Sequence, residues 1–143
     1  MPPQHLNLIH TLNTFYTPFA DLPAFDKNKI LAPDPTTARH PTNALNTTAA
    51  RSAGYSDAAI DVLYQVPYLD VPDHEMQIIP SDYPINYLRA DYHEETFRTW
   101  REKWPDEYLL PSMIAFRYNV GGGKVLLSDV ETGYLFSLCL GVL

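Results

Sequence analysis

At 143 residues the chain has the length of one domain, a size that buries roughly two-thirds of the surface its unfolded form exposes. Its 45% hydrophobic and 19% charged content excludes wholesale disorder. The net charge of -7 and pI near 5.0 exclude non-specific attraction to nucleic acid or anionic lipid, and a single cysteine, Cys139, excludes an intrachain disulfide or a thiolate-rich zinc site.

The N-terminus, Met1-Pro2-Pro3-Gln4-His5, lacks the basic and apolar regions of a secretory signal, and no apolar stretch approaches the ~20 residues of a membrane helix. The expected setting is soluble, intracellular and cytoplasmic. Leu8, Ile9, Leu12, Phe15 and Tyr16 recur at three- and four-residue steps, which predicts a docking helix over 6–16 that Pro18 stops. From Thr17 to Pro41, five prolines predict a long irregular loop. Such a loop either holds a partner-binding segment or packs Phe19, Leu22, Phe25, Ile30 and Leu31 over the core.

Asn43 to Ala53 reads as a short helix closed by Gly54. A second helix follows, with Ser56 as its cap, Asp57 in its first turn and Tyr55 placed to staple onto Ile60. Its stripe of Ile60, Leu63, Tyr64 and Pro67 runs to Val66-Pro67. Met76 to Ile79 is a candidate strand, and Asp82-Tyr83-Pro84 marks a turn. Asp91 and Glu94 form a capping-box pattern for a helix with Phe97, Trp100 and Trp104 on its apolar face, Pro105 past its end, and a Glu94–Arg98 pair on its exposed side.

The hydrophobic period then changes from 3.6 to 2. Ile114, Phe116 and Tyr118 alternate with Met113, Ala115 and Arg117, and Val125, Leu127 and Asp129 with Leu126, Ser128 and Val130. With the Glu131-Thr132-Gly133 turn and a return strand over Tyr134 to Leu140, this predicts a three-stranded antiparallel meander in the C-terminal third, packed against three to four helices. The predicted class is therefore α+β, in a single domain spanning 1–143. The apolar end, Cys139 to Leu143, reads either as buried or as the cut end of a longer chain.

Motifs of chemistry are few. Gly121-Gly122-Gly123-Lys124 lacks the following Ser or Thr and the helix of a phosphate-binding loop, and reads as a hairpin connection. Asp70, Asp73, His74 and Glu75, and Asp91, His93, Glu94 and Glu95, lack helix-face ligand spacing and read as solvated loop and cap residues, so no metal or cofactor is expected. Cys139 has no neighbouring base, and no Gly-x-Ser-x-Gly elbow occurs. Asn46-Thr47-Thr48 matches the N-glycosylation pattern, which matters only in the secretory pathway. Arg98, Arg101 and Lys103 beside Trp100 and Trp104 resemble a nucleic-acid-binding mixture, yet Glu94, Glu95 and Glu102 cancel the charge.

Gly54-Tyr55-Ser56-Asp57, Ile60-Asp61-Val62-Leu63, Val66-Pro67-Tyr68-Leu69, Leu110-Pro111, Leu126-Leu127-Ser128-Asp129 and Thr132-Gly133 together resemble, over residues 54 to 136, fungal relatives of the SUKH superfamily. Members of that superfamily include cell-wall-assembly regulators and bacterial toxin-immunity proteins. The resemblance implies a small α+β domain without catalytic residues that binds other proteins.

Three functions are consistent with these readings. The first is a non-enzymatic intracellular protein-interaction domain. The second is an enzyme or small-ligand protein with a pocket between sheet and helices lined by Tyr64, Tyr68, Trp100 and Tyr118. The third is a homodimer subunit completed by an exposed sheet edge or the apolar C-terminus.

Overall fold

The computed structural model describes residues 3–16, 27–70, 82–89, 91–104, 107–119 and 124–136. Within them α1 spans Pro3–Tyr16, α2 Thr47–Ala53, α3 Asp57–Leu63 and α4 Glu94–Arg101. The strands are β1 (Ile30–Leu31), β2 (Tyr68–Leu69), β3 (Asp82–Pro84), β4 (Glu102–Trp104), β5 (Glu107–Tyr108), β6 (Met113–Asn119), β7 (Lys124–Asp129) and β8 (Leu135–Phe136). The chain is α+β, as its change of period predicts.

Helix α1 buries Leu8, Leu12 and Tyr16, a four-residue step that keeps one face on the core. The predicted helix over 43–53 is divided in two. Thr42–Ala44 form a single 3-10 turn, and α2 begins only after Asn46, whose side-chain oxygen accepts from the Ala49 N–H at 3.1 Å. Gly54 then closes α2 with φ at 111°, a conformation that disfavours any side chain. The small faces of Ala49, Ala50 and Ala53 are buried, which lets α4 approach α2 closely.

Ser56 caps α3 as predicted, its hydroxyl accepting from the Ala59 N–H at 3.1 Å, with Tyr55 and Ile60 both buried. Helix α3 ends at Leu63, a turn carries the chain through Val66, and β2 follows to pair antiparallel with β1. The segment expected as an irregular loop over 17–41 thus carries a short strand, through which Ile30 and Leu31 pack against the core, while Phe19, Leu22 and Phe25 lie outside the described residues.

Two local expectations around α4 are corrected. The N-cap is His93 rather than Asp91, and it makes no side-chain cap bond. Tyr92 turns inward onto Phe97, with ring centroids 5.8 Å apart, so Asp91 is left exposed before the helix starts. Nor does the helix reach Trp104. Glu102 is already extended, the Leu109 N–H caps the Arg101 carbonyl at 2.8 Å, and Glu102–Trp104 pair with β5 as a small ribbon.

The larger sheet is antiparallel in the order β3-β6-β7-β8. The meander is its β6-β7-β8 part, in the register Met113↔Asp129 through Tyr118↔Lys124 and Leu127↔Phe136. Asp82-Tyr83-Pro84, expected as a turn, is a fourth strand with Tyr83 opposite Tyr118. Pro84 is tolerated because β3 pairs on one side only among the described residues. Flanked by β3 and β7, β6 has both faces buried: Ile114, Ala115, Phe116, Arg117 and Tyr118 are all inside. Leu126 takes φ 51° and interrupts the pairing between Leu127 and Val125. Gly133 has φ 79° and donates to the Asp129 carbonyl at 2.8 Å, so the turn before β8 uses glycine where φ is positive. The candidate strand 76–79, the glycines 121–123 and Cys139 lie outside the described residues.

Candidate functional site

The four aromatics expected to line a pocket fall into three settings. Trp100 and Tyr118 meet, with centroids 5.0 Å apart, and Tyr118 stacks in turn on Tyr83 at 5.5 Å. Tyr68 belongs to a second group, edge-on to Tyr87, which stacks on Phe97 while Tyr55 approaches both rings edge-on. Tyr64 stands apart at the end of α3, under the Arg39 guanidinium at 5.0 Å.

All four side chains are buried, and two have their hydroxyls engaged by carbonyls. Tyr64 donates to Thr42 at 2.7 Å and Tyr68 to Leu63 at 2.6 Å. Burial pushes the Tyr68 phenol far above its ordinary value, as it does Tyr87, which donates to the Ala115 carbonyl at 2.5 Å. Buried rings in edge-to-face, tilted and stacked contact are what a packed aromatic core provides.

A cleft of about 390 Å³ lies elsewhere, lined by Asp34, Thr37, Arg39, His40, Pro41 and Thr42. A tight turn shapes it: the Ala38 N–H donates to the Asp34 carbonyl, the Asp34 N–H to the Arg39 carbonyl, and Ala38 takes φ 59°. Arg39 pairs with Asp61 at 2.6 Å, and its guanidinium lies over Tyr64. His40 is buried, its backbone N–H donating to the Tyr64 carbonyl at 2.8 Å and its Nε2–H to the Val66 carbonyl at 2.7 Å. Burial lowers its pKa, outweighing the carbonyl's opposite effect, so the ring is neutral near pH 7. The groups lining this cleft are thus largely spent on holding the loop to α3. Neither Arg39 nor His40 carries a sequence signal, because their partners lie 22 and 26 residues away.

The acidic clusters behave as solvated groups where they are described. Glu94 and Glu95 both bind Arg98, at 2.5 and 2.6 Å. Asp73, His74 and Glu75 lie outside the described residues. Among the described residues no group of three or more His, Cys, Asp or Glu is placed to hold a metal. Asn46 is occupied as a cap, and its amide nitrogen, the glycan acceptor in such a motif, donates to the Tyr92 carbonyl at 3.2 Å.

Arg101, one of the cations grouped with Trp100, is buried rather than displayed. It donates to the carbonyls of Ala53 and Leu109, and its guanidinium lies 5.6 Å from the Tyr55 ring and 5.9 Å from that of Tyr108. It thereby ties the C-terminus of α2 to α4 and β5, where the helix carbonyls favour a cation.

Tyr108, Leu110 and Tyr134 are 45%, 61% and 65% exposed, the large apolar side chains left in solvent among those whose side chains are described. Leu110 leads into β6, and Tyr134 follows the turn between β7 and β8, so both sit at the same end of the sheet. No family model, curated protein or solved structure matches the chain. Among the described residues no helix is long and apolar enough to cross a membrane.

Proposed function

We propose that the chain is a non-enzymatic domain that binds another protein inside the cell, through the apolar end of its sheet. The observation that carries this reading is the exposure of Leu110 and Tyr134, 61% and 65%, at the end of the larger sheet where β6 and β8 begin. Scattered exposed apolar residues are ordinary; a group of them at one edge of a fold marks an interface. The single cysteine supports a reducing compartment such as the cytoplasm. The resemblance of residues 54 to 136 to the SUKH superfamily supports the same class of function.

Affinity capture from source lysate tests it, comparing the full chain with a Leu110→Ser/Tyr134→Ser variant. Both side chains are mostly solvent-exposed, so the variant keeps its fold. A partner held by the native chain and lost by the variant supports the reading. Capture that the variant leaves unchanged, or no partner at all, sinks it.

A second reading, small-ligand binding, draws on the cleft beside His40 and on the aromatics between sheet and helices. A site between Trp100 and Tyr118 needs those touching rings to part. A rise in Tm with a metabolite or metal in a thermal-shift screen supports this reading, and a flat response across a broad library counts against it.

A further inference from the structure

We infer that the cleft beside His40 binds a neutral polyhydroxylated ligand, a sugar or polyol, through hydrogen bonds to the imidazole and to the Asp34 carboxylate. This is independent of the protein-binding reading; it rests on the small-ligand reading of the cleft and adds the ligand's chemistry. The atom that carries it is His40 Nδ1. A carbonyl oxygen only accepts, so the 2.7 Å bond to Val66 puts the ring's proton on Nε2 and leaves Nδ1 with a lone pair. His40 is 7% exposed and lines the cleft. Among the described residues Nδ1 has no hydrogen-bond partner, and it is not sealed from solvent. The ring cannot easily turn away, because the His40 backbone N–H is held by the Tyr64 carbonyl at 2.8 Å and the imidazole packs on Tyr68 with centroids 5.5 Å apart. An acceptor is thus fixed in place before any ligand arrives.

The neighbouring groups select the ligand. The Asp34 N–H donates to the Arg39 carbonyl at 3.0 Å, which brings Asp34 alongside Arg39 and His40. Its Oδ1 accepts from the Thr36 N–H at 2.7 Å, and Oδ2 remains to accept from a ligand. Arg39 spends Nη1 on Asp61 at 2.6 Å, while the rest of its guanidinium, 40% exposed as a side chain, has no hydrogen-bond acceptor among the described residues. Two acceptors and a donor therefore line one space of about 390 Å³, within the ordinary range of small-molecule sites. An ammonium group serves both acceptors but sets its charge against Arg39. A carboxylate serves Arg39 alone and meets a lone pair and a like charge. Hydroxyl groups donate and accept at once, so several on adjacent carbons serve all three.

NMR of the full chain with 15N-labelled histidine tests this. Glucose, galactose, mannose and myo-inositol are the neutral probes, and glucosamine and glucuronate the charged ones. At least one neutral probe is expected to shift His40 Nδ1 saturably, with a dissociation constant on the order of 1 mM, and to leave the other histidines unmoved. His40→Gln keeps a donor near the Nε2 position and offers no acceptor at that of Nδ1. It should weaken the neutral probe about fivefold, read on the probe's own resonances by saturation transfer. Asp34→Asn, which still accepts from Thr36, should weaken it less and relieve the discrimination against glucuronate. Binding of a neutral probe that His40→Gln leaves unchanged overturns the inference. A charged probe that shifts Nδ1 at lower concentration than every neutral one overturns the polyol and leaves a small-ligand site in this cleft. Nδ1 unmoved by all six probes overturns the inference outright; a metabolite or metal that raises Tm in the same chain then leaves the broader small-ligand reading standing.

Discussion

The ten tyrosines divide into two sets that show what this fold does with one kind of side chain. Tyr16, Tyr55, Tyr64, Tyr68, Tyr83, Tyr87, Tyr92 and Tyr118 are buried, whereas Tyr108 and Tyr134 stand in solvent. In the first set rings fill space between elements, and the hydroxyls of Tyr64, Tyr68 and Tyr87 reach the carbonyls of Thr42, Leu63 and Ala115. In the second set the same residue type stands in solvent, Tyr108 on the β4–β5 ribbon, two residues before the exposed Leu110, and Tyr134 at the end of the larger sheet. An aromatic ring adds stability where the chain wraps it, and it adds recognition where the chain leaves it bare. The core region and the exposed end should therefore respond to substitution in opposite ways.

The largest contrast should come from Phe97, which is fully buried and touches Tyr55, Tyr87 and Tyr92. Phe97→Ala is expected to cost about 4 kcal/mol in urea unfolding, because the cavity is enclosed by rigid rings. Gly54→Ala should follow at about 3 kcal/mol. A Cβ there would overlap the Arg101 guanidinium, lying 2.9 Å from its Cζ, and would also strain a backbone at φ 111°. The same unfolding measurement reads it, and a loss below about 1 kcal/mol would show that Arg101 is not the fixed joint described above.

A smaller effect separates the cleft from both regions. Burial depresses the His40 pKa below its ordinary 6.5, so below that pH the unfolded chain takes up a proton that the folded chain resists. Stability is then full above pH 6.5 and falls as the pH drops from there toward the depressed value. Replacing His40 with Gln should remove that part of the acid slope in denaturant titrations at several pH values, and an unchanged slope would assign it to other groups. Smallest of all, Tyr134→Ser should alter stability by less than about 0.5 kcal/mol while weakening partner binding, the reverse of Phe97→Ala.

Local chemistry made part of this fold legible and long-range pairing hid the rest. Ser56 and Asp57 announce α3 because a cap and a helix dipole act within one turn. The meander is legible because period-2 alternation is a local property of β6 and β7. Asp82-Tyr83-Pro84 carries a turn's composition, yet its conformation is set by pairing with residues 117–119. Asp91 has a cap's composition, yet burial of Tyr92 moved the helix start to Glu94.

The candidate surface was hidden for the same reason. Periodicity marks Tyr64, Tyr68, Trp100 and Tyr118 as inward-facing and cannot say whether an inward ring lines a pocket or fills a core. Leu110 and Tyr134 look like ordinary strand residues until the turns at 111–112 and 130–132 place them at one end.

Site-directed photo-crosslinking tests the central claim most directly. A benzophenone amino acid is placed in the full chain at position 134 or, as the control, at the exposed Thr36 in the 34–39 turn. The account predicts a discrete adduct with a second protein from position 134 and none from position 36. Equal adducts from both positions, or none from position 134, would contradict it.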